Sequence, residues 1–257
     1  MAFRKPNWLR LDNAAKIYPA ARRRKWSNVF RVAATMKDEI NPETLESALK
    51  VTAARFPSIA VRLRRGVFWY YLEEIDSVPE VIRDTPFPCR RMTSKEARTC
   101  AFRVLYYKNR IAVEFFHVLT DGSGAMVFLK TLIAEYAEQR YGITVPAECG
   151  ILSRSEEPSP EEIEDSFLRY EGHTVSSRKE EPAYHLTGKK EPDGYLNITT
   201  GIIDLPQVLE QAKKYKATLT NYLAALMVMC VADIQREKTK NPAKQKPVKV
   251  LISVNLR

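Results

Sequence analysis

Arg110-Ile-Ala-Val-Glu-Phe-Phe-His117-Val-Leu-Thr-Asp121-Gly-Ser-Gly-Ala-Met-Val-Phe-Leu-Lys-Thr-Leu-Ile-Ala-Glu-Tyr136 changes its hydrophobic period part-way along. Ile111 to Phe116 is apolar except for Glu114, the pattern of a largely buried strand. From Ala125 onward, Met126, Phe128, Leu129, Leu132, Ile133 and Tyr136 recur at helical spacing. Between strand and helix lie His117 and Asp121, four residues apart, followed by Gly122 and Gly124. Two glycines so close together predict a sharp turn at positive φ, which glycine adopts without a Cβ penalty. Strand, tight loop and helix together present a loop side chain to a cleft from rigid support.

Working outward, Trp26 to Met36 alternates as a strand, with Val29, Arg31 and Ala33 set against Phe30 and Val32. Asn41 suits an N-cap and Pro42 the first helical position. That helix is expected to reach about Arg55, with Leu45, Ala48, Leu49 and Thr52 or Ala53 inward, and Pro57 stops it. Ile59 to Arg64 and Val67 to Leu72 predict a hairpin around Arg65-Gly66. Pro79 to Pro88 reads as a loop. Cys100 to Tyr107 pairs with Ile111 to Phe116 as a second hairpin.

Downstream, Gly142 ends the helical pattern. Glu148 to Asp193 is rich in Glu, Ser, Pro and Lys and predicts an extended, partly mobile connector. Tyr195 to Ile203 and Val248 to Val254 read as strands. Between them, helices are expected at Leu205 to Tyr215 and at Asn221 to Ile234, the latter capped by Thr218 or Thr220. Leu223, Leu226, Met227, Cys230 and Ile234 should form the core face of the second helix. The organisation expected is therefore a first lobe at 1–147, a polar connector at 148–194 and the start of a second lobe at 195–257.

The chain has 257 residues and 29.5 kDa, enough for one large domain or two small ones. With 45% hydrophobic and 28% charged residues it has the composition of an ordinary globular protein. No apolar run reaches the length of a transmembrane segment, and the N-terminus lacks a signal-peptide core. Cys89, Cys100, Cys149 and Cys230 are scattered without a C-x-x-C pair, which predicts reduced thiols in a cytoplasmic protein. The net charge of +10 gathers at Arg22 to Lys25 and Arg62 to Arg65. A solvated basic surface accounts for it, as does attraction for an anionic co-substrate such as coenzyme A. No nucleic-acid-binding motif accompanies these patches, so no nucleic-acid partner is expected.

Imidazole titrates near neutrality and is a natural general base for a hydroxyl or thiol. His117 is the candidate; the plainer reading is a satisfied histidine at a strand end. Asp121 before Gly122 equally suits a turn cap. Ser123 stands in D-G-S-G, not in the G-x-S-x-G of a nucleophile elbow. His117 and Asp121 lack a third metal ligand at a characteristic spacing, so no metal is expected. His173 and His185 fall in the polar connector and read as surface residues; Tyr18 and Trp26 suit either packing or the lining of a channel.

His117-Val-Leu-Thr-Asp121-Gly122 resembles the H-x-x-x-D-G motif of the chloramphenicol-acetyltransferase-like superfamily, which includes peptide-synthetase condensation domains, polyketide-associated acyltransferases and alcohol acetyltransferases. Leu11 to Pro19 looks most like the alcohol acetyltransferase branch, and Arg55 to Leu63 is similar to the R-H-P-x-L-R stretch of many members. Condensation domains usually carry two adjacent histidines; here the first position is Phe116, which points away from peptide condensation.

The resemblance implies an α/β (α+β) two-layer sandwich, a lobe of mixed sheet with helices, plus the opening βαβ part of a second similar lobe. It implies an acyl-CoA-dependent O-acyltransferase with acetyl-CoA or another acyl-CoA as co-substrate, an alcohol as acceptor and no bound cofactor. His117 is then the base. Asp121 is then a structural, ion-paired residue, with Arg257 as its first expected partner and Arg62 as its second, and Gly122 permits the turn. Family members are well over half as long again, so this chain looks truncated. On its own it is expected to be weak or inactive, with an unfinished sheet that pairs with a second copy as a homodimer or leaves the last segment poorly ordered. Two other readings stand beside this one: an acyltransferase fed by an acyl carrier protein, and a non-catalytic relative.

Overall fold

The computed structural model describes residues 8–11, 15–20, 27–163, 181–189, 191–192 and 195–252. These divide into two compact units: one within Met1–Gly172 together with Pro192–Leu196, the other within His173–Glu191 together with Asn197–Arg257.

The first unit is mixed α/β. Its larger sheet contains β2 (Val29–Thr35), β5 (Ile82–Arg83), β6 (Phe102–Tyr107) and β7 (Arg110–Phe116) in the order β2-β7-β6-β5. β7 runs antiparallel to both neighbours, whereas β5 lies parallel to β6, which makes the sheet mixed. β5 falls inside the stretch expected to be a loop; two residues without apolar alternation carry no strand signal, and only the neighbouring edge of β6 makes them one. The smaller sheet has the order β1-β4-β3, from β1 (Trp8–Arg10), β3 (Val61–Arg65) and β4 (Tyr70–Glu74). β3 and β4 form the expected antiparallel hairpin, with a longer turn than Arg65-Gly66 alone.

A short helix α1 (Ile17–Ala20) precedes β2. α2 (Pro42–Arg55) begins as read, the Asn41 side chain accepting the Thr44 N–H at 2.7 Å. α3 (Ser94–Thr99) was not anticipated; Thr93 and Glu96 close a full capping box, and such a short helix has too few turns to show a period. α4 (Gly122–Tyr141) ends at Gly142, whose φ of 66° is the left-handed cap glycine supplies.

α2 and α4 pack together over one face of the larger sheet. Leu45, Leu49, Phe102, Val104, Ile111, Val113, Phe115, Phe128, Leu129, Leu132 and Tyr136 make that core. Phe128 meets Phe56, Phe102 and Phe115 edge-on at 5.1–5.5 Å. The Tyr136 hydroxyl accepts the Asn41 N–H, tying the start of α2 to the middle of α4. A second cluster joins Val29, Phe116 and Val118 to Val61, Leu63 and Leu72 of the smaller sheet and Ala97 of α3.

The opening of the polar stretch is docked on the helices of the first unit. Arg55, buried at the end of α2, donates to the Ser153 carbonyl and holds both Glu162 carboxylate oxygens of α5 (Pro160–Ile163). Arg154 pairs with Glu135 and Glu138 of α4, and the Leu152 N–H donates to Thr131 Oγ1. Composition alone hides this, because each charge finds its partner on a helix more than a dozen residues away.

The second unit holds α6 (Leu205–Lys214) and α7 (Leu219–Lys238), capped by Asp204 and Thr218 and bent by 83° across their break. The Gln235 side chain clasps both backbone groups of Lys246. The strands expected at 195–203 and 248–254 are not formed among the described residues. Nor is the face of Leu223, Leu226, Met227 and Cys230 core: all four are exposed. An apolar pattern makes a strand or a core face only when another element covers it.

Candidate functional site

His117 follows the last residue of β7, where the chain turns toward α4. Its N–H donates to the Asn28 carbonyl at 2.8 Å, and the Leu119 N–H closes back on the Phe116 carbonyl at 3.0 Å. Val118 is buried in the second core cluster. Asp121 then caps α4, its carboxylate accepting the Gly124 N–H at 2.8 Å. Five residues therefore separate the end of a buried strand from the first turn of a 20-residue helix, with His117 at one end and Asp121 at the other.

The half-buried imidazole meets two aromatic rings. Tyr18 stacks on it at 4.7 Å with 7° between planes, and Phe30 meets it tilted at 4.6 Å. Asn28 organises this arrangement. It is buried at φ 50°, a left-handed conformation that asparagine tolerates better than most residues. Its side-chain amide donates to the Tyr18 carbonyl at 2.9 Å while its own carbonyl holds His117. The sequence signal for Asn28, a single asparagine before a strand, is too common to single it out.

Glu114, the interruption in the strand, is 1% exposed. It faces Arg31 across β2 and Arg103 across β6 in the paired register. It accepts from Arg31 at 2.7 Å, from Arg103 at 3.0 Å and from the Cys89 N–H at 2.6 Å. Asp84 completes the network, held by Arg31 at 2.8 Å and Arg110 at 2.9 Å. Burial pushes the Asp84 carboxyl up, but hydrogen bonds and charge from Arg31, the Thr85 N–H and Arg110 outweigh it, so the carboxyl titrates below its usual range. Burial and the Glu114 charge push the Cys89 thiol up, and burial pushes Cys100 up to about 12. Neither thiol suits nucleophilic work, which needs thiolate near neutrality.

Of the residues singled out by sequence, His117, Asp121 and Gly122 are together in this loop. Asp121 is exposed rather than buried. Gly122 is helical and nothing lies within 4 Å of where its Cβ would stand, so the turn does not demand it. Gly124 is the constrained glycine, since a Cβ there would run into Thr120 Oγ1. Neither glycine has positive φ, contrary to expectation, because both belong to the first helical turn. Arg62 bonds Glu73 at 2.6 Å on the neighbouring strand. Arg257 lies outside the described residues, as do Trp26, His173 and the basic run Arg22 to Lys25.

Ser123 is exposed on the first turn of α4, and His185 is exposed as expected. Among the described residues no cluster of three or more His, Cys, Asp or Glu side chains could hold a metal ion, and the four cysteines are free. Among them, no single helix is long and apolar enough to cross a membrane.

No family model and no curated protein matches the sequence. Among solved structures, the chain is similar to the X-domain from teicoplanin biosynthesis, at 18% identity over 58% of this chain and 36% of that one, TM-score 0.46. It is similar to the starter condensation domain of rhizomide synthetase RzmA, at 16% identity over 56% of this chain and 40% of that one, TM-score 0.43. It is also similar to the first condensation domain of the calcium-dependent antibiotic synthetase, at 15% identity over 55% of this chain and 40% of that one. The matched part thus spans two-fifths or less of each of these chains.

Proposed function

We propose that this chain carries the histidine-bearing lobe of an acyltransferase that moves an acyl group from a pantetheine thioester to an alcohol. The observation that supports it is the position of His117 at the end of a buried strand, beside two rings and ahead of an aspartate-capped helix, within H-x-x-x-D-G. His117 takes the hydroxyl proton, and the oxygen attacks the thioester carbonyl. The tetrahedral oxyanion collapses with cleavage of the C–S bond, and the leaving thiolate takes the proton back from the imidazolium. No covalent acyl-enzyme is required. Asp121 anchors the loop through the α4 N-terminus. Arg257 remains the proposed cation for its carboxylate.

Acyl-CoA is the proposed donor. An acyl carrier protein presents the same pantetheine thioester, so the same base serves it and the two are told apart by assay. Release of free thiol from acetyl-CoA, and from an acylated carrier protein, is followed with a panel of alcohols. In a full-length version carrying both lobes, His117→Ala is expected to lower turnover on the order of 10²-fold or more with folding intact. Equal turnover with and without the imidazole, at saturating substrates, removes His117 from the reaction.

A further inference from the structure

The smaller sheet and α3 enclose a surface cavity of 160 Å³ lined by Leu63, Arg65, Tyr70, Ser94, Ala97 and Arg98. That is about the volume that admits one benzene-sized molecule. Each wall has a clear origin. Arg65 and Tyr70 are directly opposed across the β3–β4 pair, so their side chains rise from the same face. Ser94, Ala97 and Arg98 sit at i, i+3 and i+4 on α3, which packs against β3. Leu63 and Ala97 form the apolar floor and belong to the buried cluster that also contains Phe116 and Val118 beside His117.

The charge on these walls is uncompensated. Arg62 and Arg64, on the other face of the same strand, share Glu73. Arg103, Arg110, Arg31, Arg55 and Arg154 each hold a carboxylate. Arg65 and Arg98 line this cavity, and among the described residues neither has an ion pair. Arg65 and Arg98 bring two like charges to the lining of one cavity, and an anion bound there is attracted to both. The forked donors of arginine match a tetrahedral oxyanion, and Tyr70 and Ser94 line the same cavity.

We propose that this cavity is a binding site for a phosphate dianion, free or carried as a monoester. Its size takes the phosphate group and leaves the remainder of the ligand outside. Two sources share that chemistry: free phosphate and the 3′-phosphate of coenzyme A. Only the second rests on the acyl-transfer reading, and the test below measures binding without any turnover, so the two stand or fall separately.

The experiment is calorimetric titration of the intact chain with inorganic phosphate, coenzyme A and 3′-dephospho-coenzyme A. It is run on the wild type, on Arg65→Gln/Arg98→Gln, and on the control Lys37→Gln/Arg140→Gln, which removes equal charge from exposed positions elsewhere. The expected result is phosphate binding that falls about tenfold or more in the cavity variant and not in the control. If coenzyme A is the source, it binds about tenfold tighter than its dephospho form, and the gap closes in the cavity variant. Phosphate binding that needs both arginines, with no difference between the two coenzymes, supports the site and removes coenzyme A as its source. Equal losses in the cavity and control variants, or no loss in either, overturn the site in favour of the diffuse field of a chain with net charge +10. Circular dichroism checks the fold; Arg98→Gln alone, a change at an exposed residue, repeats the comparison if the double variant does not fold.

Discussion

The phenol ring of Tyr18 lies parallel to the imidazole of His117, centroids 4.7 Å apart and planes 7° apart. Asn28 holds both partners by their backbones, so the stack is fixed from behind as well as by ring contact. Tyr18→Leu keeps apolar bulk and removes the flat surface that sets the ring angle. It is expected to lower kcat about tenfold with KM little changed, because orientation of the base is lost and substrate binding is not. Tyr18→Phe, which keeps the ring, should stay close to the wild type. Initial-rate kinetics of thiol release separate the two; a rise in KM at constant kcat would assign Tyr18 to substrate binding instead.

Glu114 pairs with two guanidiniums inside the sheet. Glu114→Ala leaves Arg31 and Arg103 facing each other across β7 without their shared anion, and should cost about 3–5 kcal/mol. Replacing Glu114 by Leu together with Arg103 by Met removes a buried charge of each sign and should cost clearly less than Glu114→Ala. Urea unfolding of the two variants checks the order.

Acid should weaken the first unit through Asp84. Its folded carboxyl titrates below the unfolded value of about 3.9, so its contribution is fully present above about pH 4 and is lost as pH falls through the folded value. Asp84→Asn lacks that titration. Its stability should be lower than the wild type at pH 6, with the difference shrinking as the pH falls below about 4. A difference that stays constant as the pH falls, measured by thermal unfolding, would show that the carboxylate charge contributes nothing.

The two glycines of the loop should respond oppositely to alanine. At Gly122 the space is open and the backbone helical, so Gly122→Ala should stabilise by roughly 0.5–1 kcal/mol. At Gly124 the new methyl meets Thr120 Oγ1, forcing that stiff β-branched side chain into another rotamer. Gly124→Ala should therefore be neutral to destabilising, and Thr120→Ala should restore its stability. Melting temperatures of the single and double variants decide this.

Much of the first unit was legible in the residues themselves. The shift of period at His117, the Asn41-Pro42 start of α2 and the Gly142 end of α4 are local effects: spacing, capping and left-handed backbone act within a few residues. The same locality explains where the reading stopped. That Tyr18 stacks on His117 depends on α1 and β7, about a hundred residues apart, being joined by one left-handed asparagine. Glu114 looked like a blemish in a strand until β2 and β6 brought Arg31 and Arg103 to either side of it. The cavity between Arg65 and Arg98 exists only because α3, too short to show a period, lies on β3. The converse holds in the second unit. Apolar residues at 195–203 and on α7 carry the patterns of a strand and a core face, yet most of them stay exposed among the described residues, and burial is a property of two surfaces rather than one.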